Sequence, residues 1–320
     1  MDNQWQPSCS LELLQQRAAL LTLVREFFAE RQVLEVETPL LASSAVTDPF
    51  IRAMAVDDTG AGRRFLQTSP EYAMKRLLAS GSGPIYQICK AFRHGEASAR
   101  HNPEFTMLEW YRPGFDEWNL IDEVEALLRL ILPVEGYQRL SYREIFEQLL
   151  NVDPHNASVS ELAAVARRHA NFSFSDNGLD RDGWLDVLIT HVIEPALDPA
   201  VLTVIYDYPA TQSALSQVAT DSDGQSIARR FECYFGGVEL ANGYYELLDA
   251  AELSRRATAD NRKRKDLGYE QMAEDDKLLA AMQAGMPSCA GVAIGFDRLL
   301  MLRQRQRHIS AVMSFDFSRA

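Results

Sequence analysis

Cysteine is scarce in this 320-residue chain. Its four residues, Cys9, Cys89, Cys233 and Cys289, lie far apart and form no Cys-x-x-Cys pair. That scarcity argues against a disulfide or zinc framework and reads as buried or incidental thiols of a reducing compartment. Long apolar runs are missing too: none approaches the roughly 20 residues needed to cross a bilayer. The opening MDNQWQPSCS lacks the basic-then-apolar order of a signal peptide, so no membrane and a cytoplasmic location are expected. Basic charge is in deficit, 32 Lys and Arg against 45 Asp and Glu, for a net charge of −13. Proteins that hold nucleic acid through phosphate contacts carry a basic face, so this balance disfavours non-specific nucleic-acid binding. The one dense basic run, Arg255, Arg256, Arg262, Lys263, Arg264 and Lys265, reads as a solvated helix face rather than a docking patch.

What is present is an ordinary globular balance, 47% hydrophobic and 24% charged. From Ser10 to Arg31 the residues Leu11, Leu14, Ala18, Leu21, Val24 and Phe28 recur at helical spacing, and Glu12 suits a first turn. VLEVETPLL, ended by Pro39, reads as an extended edge segment. PEYAMKRLLASG predicts a helix with Pro70 in its first turn and Gly81 near its end. PIYQICKAFR and EFTMLEWYR are strand-like, and residues from about 117 to 200 are mainly helical. The tail returns to strands in FECYFGGVELANGYYEL, then a charged helix, then the apolar GVAIGFDRLLML. Strands on both sides of a helical insert, with no repeat or linker, point to a single α+β domain over residues 1–320.

Strand alternation picks out two constellations. In EFTMLEWY it puts Phe105, Met107, Glu109 and Tyr111 on one face and Thr106, Leu108 and Trp110 on the other. The second set suits packing; in the first, Glu109 is either buried with a partner or half-exposed in water, and the strand alone leaves both open. FECYF-GG-VELAN reads as a hairpin turning at Gly236-Gly237, pairing Phe235 with Val238 and Tyr234 with Glu239. Glu232 and Glu239 then become diagonal neighbours, roughly 7–8 Å apart between Cα atoms. Carboxylates that close repel unless a proton or cation lies between them, and Mg²⁺ shared with substrate phosphates suits the pair; solvated surface glutamates are the plainer alternative. Asn242, Tyr244 and Glu246 share a face of opposite parity to Glu239, so one pocket for all requires a bulge near Asn242-Gly243.

Three motifs carry a resemblance. VLEVETPLL, AFRHGEASARHNPEFTMLEWY and GVAIGFDRLLML resemble motifs 1, 2 and 3 of the class II aminoacyl-tRNA synthetases, with Pro39, Arg93 and Arg298 at their marker positions. TSPEYAMKRL, HNPEFTMLE and ELANGYYELLDA are similar to the lysyl subgroup, and LEWYRPGF, DNRKRK and GMPSCAGVAIGFDRL to its truncated, protein-modifying branch. The resemblance covers about residue 10 to the end and implies the class II catalytic fold, an antiparallel sheet flanked by helices, without an anticodon-binding domain. It implies that Arg93 holds the ATP α-phosphate and Arg298 stacks on adenine opposite Phe105, as the two catalytic residues. His94, Gly95, His101, Asn102, Glu239, Leu240 and Gly295 complete the ATP site, and Glu232 and Glu239 hold Mg²⁺. Ser69, Pro70, Glu71, Glu109, Tyr111, Asn242 and Glu246 form the amino-acid site, whose carboxylates suit a substrate with two ammonium groups.

The activity so implied is ATP-dependent adenylation of (R)-β-lysine, or lysine, and transfer to a lysine ε-amine of elongation factor P, by a homodimer that does not use tRNA. Lysylation of tRNA and a catalytically silent binding module are the competing readings. The second is disfavoured by the presence of Arg93, Arg298, Glu232 and Glu239. Three positions depart from the lysyl synthetase pattern: Gly95 stands where glutamate is usual, Ser69 where alanine is, and Ala293 where glycine is. Small changes in a pocket wall shift discrimination by about 1–3 kcal/mol, which suits a change of lysine isomer.

Overall fold

Ser10 starts the first helix: its side chain accepts the Leu13 N–H at 3.3 Å, and α1 runs Leu11–Glu30 with Leu20, Val24, Phe27 and Phe28 buried. The computed structural model describes residues 5–57, 59–60, 62–169 and 178–320. After α1 come β1 (Leu34–Glu35), β2 (Leu41–Ala42), β3 (Met54–Val56), β4 (Arg64–Leu66), α2 (Glu71–Ala79), β5 (Ile85–Phe92) and β6 (Glu104–Pro113). The middle of the chain holds α3 (Glu117–Ile131), β7 (Gly136–Ser141), α4 (Tyr142–Leu150), α5 (Val159–His169), α6 (Arg181–Leu188), a π turn at Ile189–Ile193 and α7 (Glu194–Ala196). Strands β8 (Val201–Pro209), β9 (Val218–Thr220), β10 (Ser226–Phe235) and β11 (Val238–Tyr245) follow. The chain closes with α8 (Ala250–Asp266), α9 (Asp276–Gly285), β12 (Cys289–Gly295) and α10 (Phe296–Arg303). These elements form two compact units, residues 1–115 with 247–320, and residues 116–246.

In the first unit β5 and β6 pair antiparallel without a slip, from Ile85 opposite Tyr111 to Phe92 opposite Glu104. β12 pairs antiparallel along the other side of β6. β1 pairs with β5 in parallel, so the sheet is not wholly antiparallel as the family resemblance implied. A parallel pair needs a long crossover, and the stretch from β2 to α2 supplies it. β2, β4 and β3 make a small separate antiparallel sheet. Leu108 and Trp110 are buried as the alternation predicts, and Phe28 of α1 meets the Trp110 ring at 5.2 Å and stacks on Tyr86 at 4.3 Å. β12 passes straight into α10 through Gly295.

In the second unit β8, β10 and β11 are antiparallel neighbours, β9 extends β10, and β7 pairs with β8 in parallel. Helices α4 to α6 bury Tyr142, Phe146, Leu162, Trp184 and Leu188 against Ile205, Tyr208 and Tyr234. The stretch predicted as mainly helical therefore also contains a strand, β7, whose short GYQRLS lies just before the capping box of α4 at Ser141 and Glu144. Its last part falls partly on residues 170–177, outside the described residues.

Two charged groups are buried, one of them against expectation. Arg264, read as part of an exposed basic face, is buried, donating to the Glu270 carbonyl at 2.7 Å and the Asp48 carbonyl at 2.9 Å. Asp297, in the first turn of α10, is 1% exposed and accepts the Thr106 N–H at 2.6 Å and Arg17 of α1 at 2.6 Å. Arg17 also donates to Thr106 Oγ1 at 2.6 Å. Removing one partner of a buried pair strands the other charge, so Arg17→Met is expected to lower stability by about 3 kcal/mol. Urea unfolding followed by fluorescence measures it, and an unchanged midpoint would mean that Asp297 is not dependent on the pair.

Candidate functional site

Glu109 is the centre of a buried polar cluster in the first unit. It sits mid-strand in β6 at 1% exposure, which rules out the half-exposed reading. Ser69 Oγ donates to one carboxylate oxygen at 2.6 Å and Tyr111 OH to the other at 3.1 Å. Burial, then the charge of Glu71, pushes its pKa up to about 8 against the two hydrogen bonds. Pro70 caps α2, and the Glu71 N–H donates to Ser69 Oγ at 3.1 Å, so the serine joins helix start and strand. Glu71 is bound at 2.5 Å by Lys75, a buried lysine one helical turn on. The sequence reading missed Lys75, although its i+4 spacing from Glu71 was visible. Ala293 of β12 pairs directly across from Glu109 and Ser69 bonds its carboxylate, so two departures from the lysyl pattern meet at this one residue.

Arg93, His94, Gly95, His101 and Asn102, the residues that the resemblance assigns to nucleotide, lie between β5 and β6. Arg93 lies over the Phe105 ring at 5.1 Å and 3.8 Å from Glu96, and its buried Nε has no hydrogen-bond partner among the described residues. His94 donates its N–H to the Arg52 carbonyl at 2.8 Å. Gly95 has φ +83°, a left-handed conformation that penalises any side chain, which explains why a glutamate is not used there. His101 is held neutral: burial and then Arg298 lower its pKa. Arg298 donates to Nε2 at 2.5 Å, so Nδ1 carries the proton and donates to Ser98 Oγ at 2.8 Å. Arg298 also reaches the Arg100 carbonyl at 3.4 Å, and Gly295 leaves room for its stem. Asn102 is buried and donates to the Glu104 carbonyl at 2.5 Å.

In the second unit the Gly236-Gly237 turn pairs Phe235 with Val238 and Tyr234 with Glu239 as predicted. The ladder then slips, with Cys233 opposite Ala241 and Glu232 opposite Asn242. Leu240 is thus the extra residue of a bulge, which puts Glu239, Asn242, Tyr244 and Glu246 on one face. The bulge required by the parity argument exists, but at Leu240 rather than Asn242-Gly243. Gly243 serves a different need, since a Cβ there would lie 2.3 Å from Phe231 Cζ. Glu232 is buried, bound by Arg230 and Tyr234 OH, and 3.5 Å from Asn242 Nδ2. Arg230 itself is half-buried, its guanidinium 4.6 Å from the Tyr208 ring centroid. Glu246 is buried and its carbonyl accepts Gln217 Nε2 at 3.0 Å. Among the described residues no group of three or more His, Cys, Asp or Glu could hold a metal. An ion at this hairpin therefore depends on oxygens from elsewhere, as Mg²⁺ does when phosphates complete its shell.

Residues 6–319 match the family model of class II tRNA synthetases (D, K and N), and the chain belongs to that family. Within it, the chain is similar to proteins named elongation factor P–(R)-β-lysine ligase. That of Pseudoalteromonas translucida is 46% identical, covering 99% of both chains. That of Mannheimia succiniciproducens is 47% identical over 99% of this chain and 98% of its own, and that of Edwardsiella ictaluri 44% over the same shares.

Gly243→Ala forces the Phe231 ring to move in a packed sheet. We expect a loss of about 1–3 kcal/mol, read as a lowered midpoint in thermal or urea unfolding, and no loss would mean that the ring has space to swing away.

Proposed function

We propose that this protein activates (R)-β-lysine with ATP and transfers it to the ε-amine of a lysine of elongation factor P. The observation that carries this reading is the match, over 98–99% of their lengths, to proteins of that name. The buried Glu109, held by Ser69 and Tyr111, supports it chemically, since a desolvated carboxylate gains most from an arriving ammonium. That Ser69 and Ala293 both abut Glu109 supports a pocket altered for the β-isomer. Amino-acid binding is assigned to Ser69, Pro70, Glu71, Glu109 and Tyr111, and on the hairpin to Asn242 and Glu246.

In the first step a carboxylate oxygen of the amino acid bonds to the α-phosphorus of ATP, and the bond to the bridging oxygen of pyrophosphate breaks. Arg93 neutralises charge at that phosphorus and Arg298 holds the adenine against Phe105, so orientation and electrostatics carry the rate. His94, Gly95, His101, Asn102, Leu240 and Gly295 line the nucleotide. In the second step the neutral acceptor amine bonds to the adenylate carbonyl carbon, the bond to the AMP oxygen breaks, and the nitrogen gives up a proton to water, leaving an amide. We assign Glu232 and Glu239 to Mg²⁺, which would offset charge on the phosphates. A carboxylate has about four lone-pair positions, so Glu232 keeps capacity beyond Arg230 and Tyr234. We infer a homodimer covering the motif 1 segment, where Leu34, Leu40 and Leu41 are 56%, 38% and 45% exposed. A cytoplasmic setting fits four free cysteines and described helices that are nowhere long and apolar enough to cross a membrane.

Pyrophosphate exchange with (R)-β-lysine and α-lysine, followed by label transfer, tests this reading. Faster exchange with the β-isomer and label on elongation factor P are expected; label on tRNA(Lys) alone would sink it. Arg93→Ala should slow exchange by about 10²–10³-fold. The pH dependence has a definite sign. Below its pKa of about 8, Glu109 is protonated in the free protein and must lose a proton to pair with an ammonium. Affinity for (R)-β-lysine should therefore fall by up to about tenfold per pH unit below that value and level off above it. Calorimetry from pH 6 to 9 reads the slope, and Glu109→Gln should flatten it.

A further inference from the structure

The C-terminal segment after α10 is tied to the motif 2 loop at two points, Ala99 and Asn102. The Ile309 N–H donates to the Ala99 carbonyl at 2.8 Å, and the Phe317 N–H donates to Asn102 Oδ1 at 3.0 Å. Asn102 is buried, and its Nδ2 already donates to the Glu104 carbonyl at 2.5 Å. Both ends of its amide are thus committed inside the chain, and the two partners fix which end is oxygen. The far side of the segment is anchored to the N-terminal stretch. Ser8 N–H donates to the Ser314 carbonyl at 2.7 Å, the Asp316 N–H to Ser8 Oγ at 3.0 Å, and Arg319 to the Gln6 carbonyl at 3.1 Å.

Ile309, Val312 and Met313 are buried, but beyond Met313 little apolar packing holds the chain down. Phe315 and Phe317 are exposed, and a cavity of about 480 Å³ lies between the segment and Arg17, Lys90 and Glu104. Where packing is thin, discrete hydrogen bonds decide position. We propose that the Phe317 N–H and Asn102 form a latch by which the C-terminal segment sets the motif 2 loop for ATP. Asn102 is then a positioning residue whose side chain serves the loop, and any contact it makes to nucleotide runs through its backbone. This rests on the assignment of the loop to ATP made above.

The latch can be cut at one atom. The Arg319 N–H donates to the Asp316 carbonyl at 2.9 Å, placing Phe317 at the second position of a turn, where proline is favoured. Phe317→Pro removes the donor while keeping the turn, and a chain ending at Asp316 removes it by a second route. A buried acceptor left without its donor costs enough for roughly a tenfold effect. We expect either variant to raise KM for ATP in pyrophosphate exchange about tenfold, with KM for (R)-β-lysine unchanged. Phe315→Ala, which removes an exposed neighbouring ring and no latch bond, is the control and should leave both constants alone. Asn102→Ala should give the same shift, and the double variant no more than either alone. Equal rises in both KM values, or additive effects, would overturn the latch. Hydrogen exchange across residues 98–104 gives a second readout: it should quicken in Phe317→Pro, and unchanged exchange overturns the latch whatever the activity. Failure of wild-type exchange with ATP would instead count against the proposed function, and hydrogen exchange would still decide the latch.

Discussion

The first unit depends on the buried carboxylate of Asp297. It accepts the backbone N–H of Thr106 in β6 and the guanidinium of Arg17 in α1, and it stands in the first turn of α10. A negative charge suits a helix N-terminus, and burial leaves it no water to turn to. One side chain therefore fixes the register between the motif 2 strand, the motif 3 helix and the first helix. Arg298 is the next residue, so its reach to His101 and to the Arg100 carbonyl follows from where Asp297 is held. Glu109 lies three residues beyond Thr106 on the same strand. Its height in the pocket is set by the same contact.

The charges in that pocket are arranged so that a cation completes them. Glu71 already has Lys75, so the pair adds no net charge. Glu109 has only neutral donors, Ser69 and Tyr111, and its raised pKa records that two hydrogen bonds do not replace water. An ammonium arriving there recovers the desolvation already spent, whereas a neutral ligand of the same size does not. In the proposed site, selectivity for a diamine rests on one carboxylate without a cationic partner, not on the number of acids nearby.

Much of this was legible in residue order. Strand parity placed Glu109 with Tyr111 and put Leu108 and Trp110 in the core, and the two glycines at 236–237 gave the hairpin its first two pairs. The bulge was also foreseeable from the clash of parity between Glu239 and Asn242. Its place was not, because a glycine at 243 looked like the natural kink, while the Phe231 ring across the strand is what excludes a side chain there. Partners distant in sequence were beyond reach for the same reason. Nothing local shows that Arg264 will meet the Asp48 carbonyl, or Asp297 the backbone of Thr106. Composition read the first as a surface charge because lysines and arginines nearby are surface charges.

The hairpin glutamates show how such a distant contact changes an argument. Two close carboxylates were taken to need a proton or a metal between them. Arg230 supplies another answer: its half-buried guanidinium binds Glu232, with Tyr234 on the second oxygen, so the pair is bearable in the protein alone. A metal is then not required to hold the strands, and no cage of three acidic, histidine or cysteine side chains exists among the described residues. Glu232 is thus charge-compensated, and Glu239 lies beside the bulge at Leu240. Affinity for a divalent ion at such a place has to come largely from the ligand that brings phosphate oxygens with it. Ion and nucleotide would then bind as one unit.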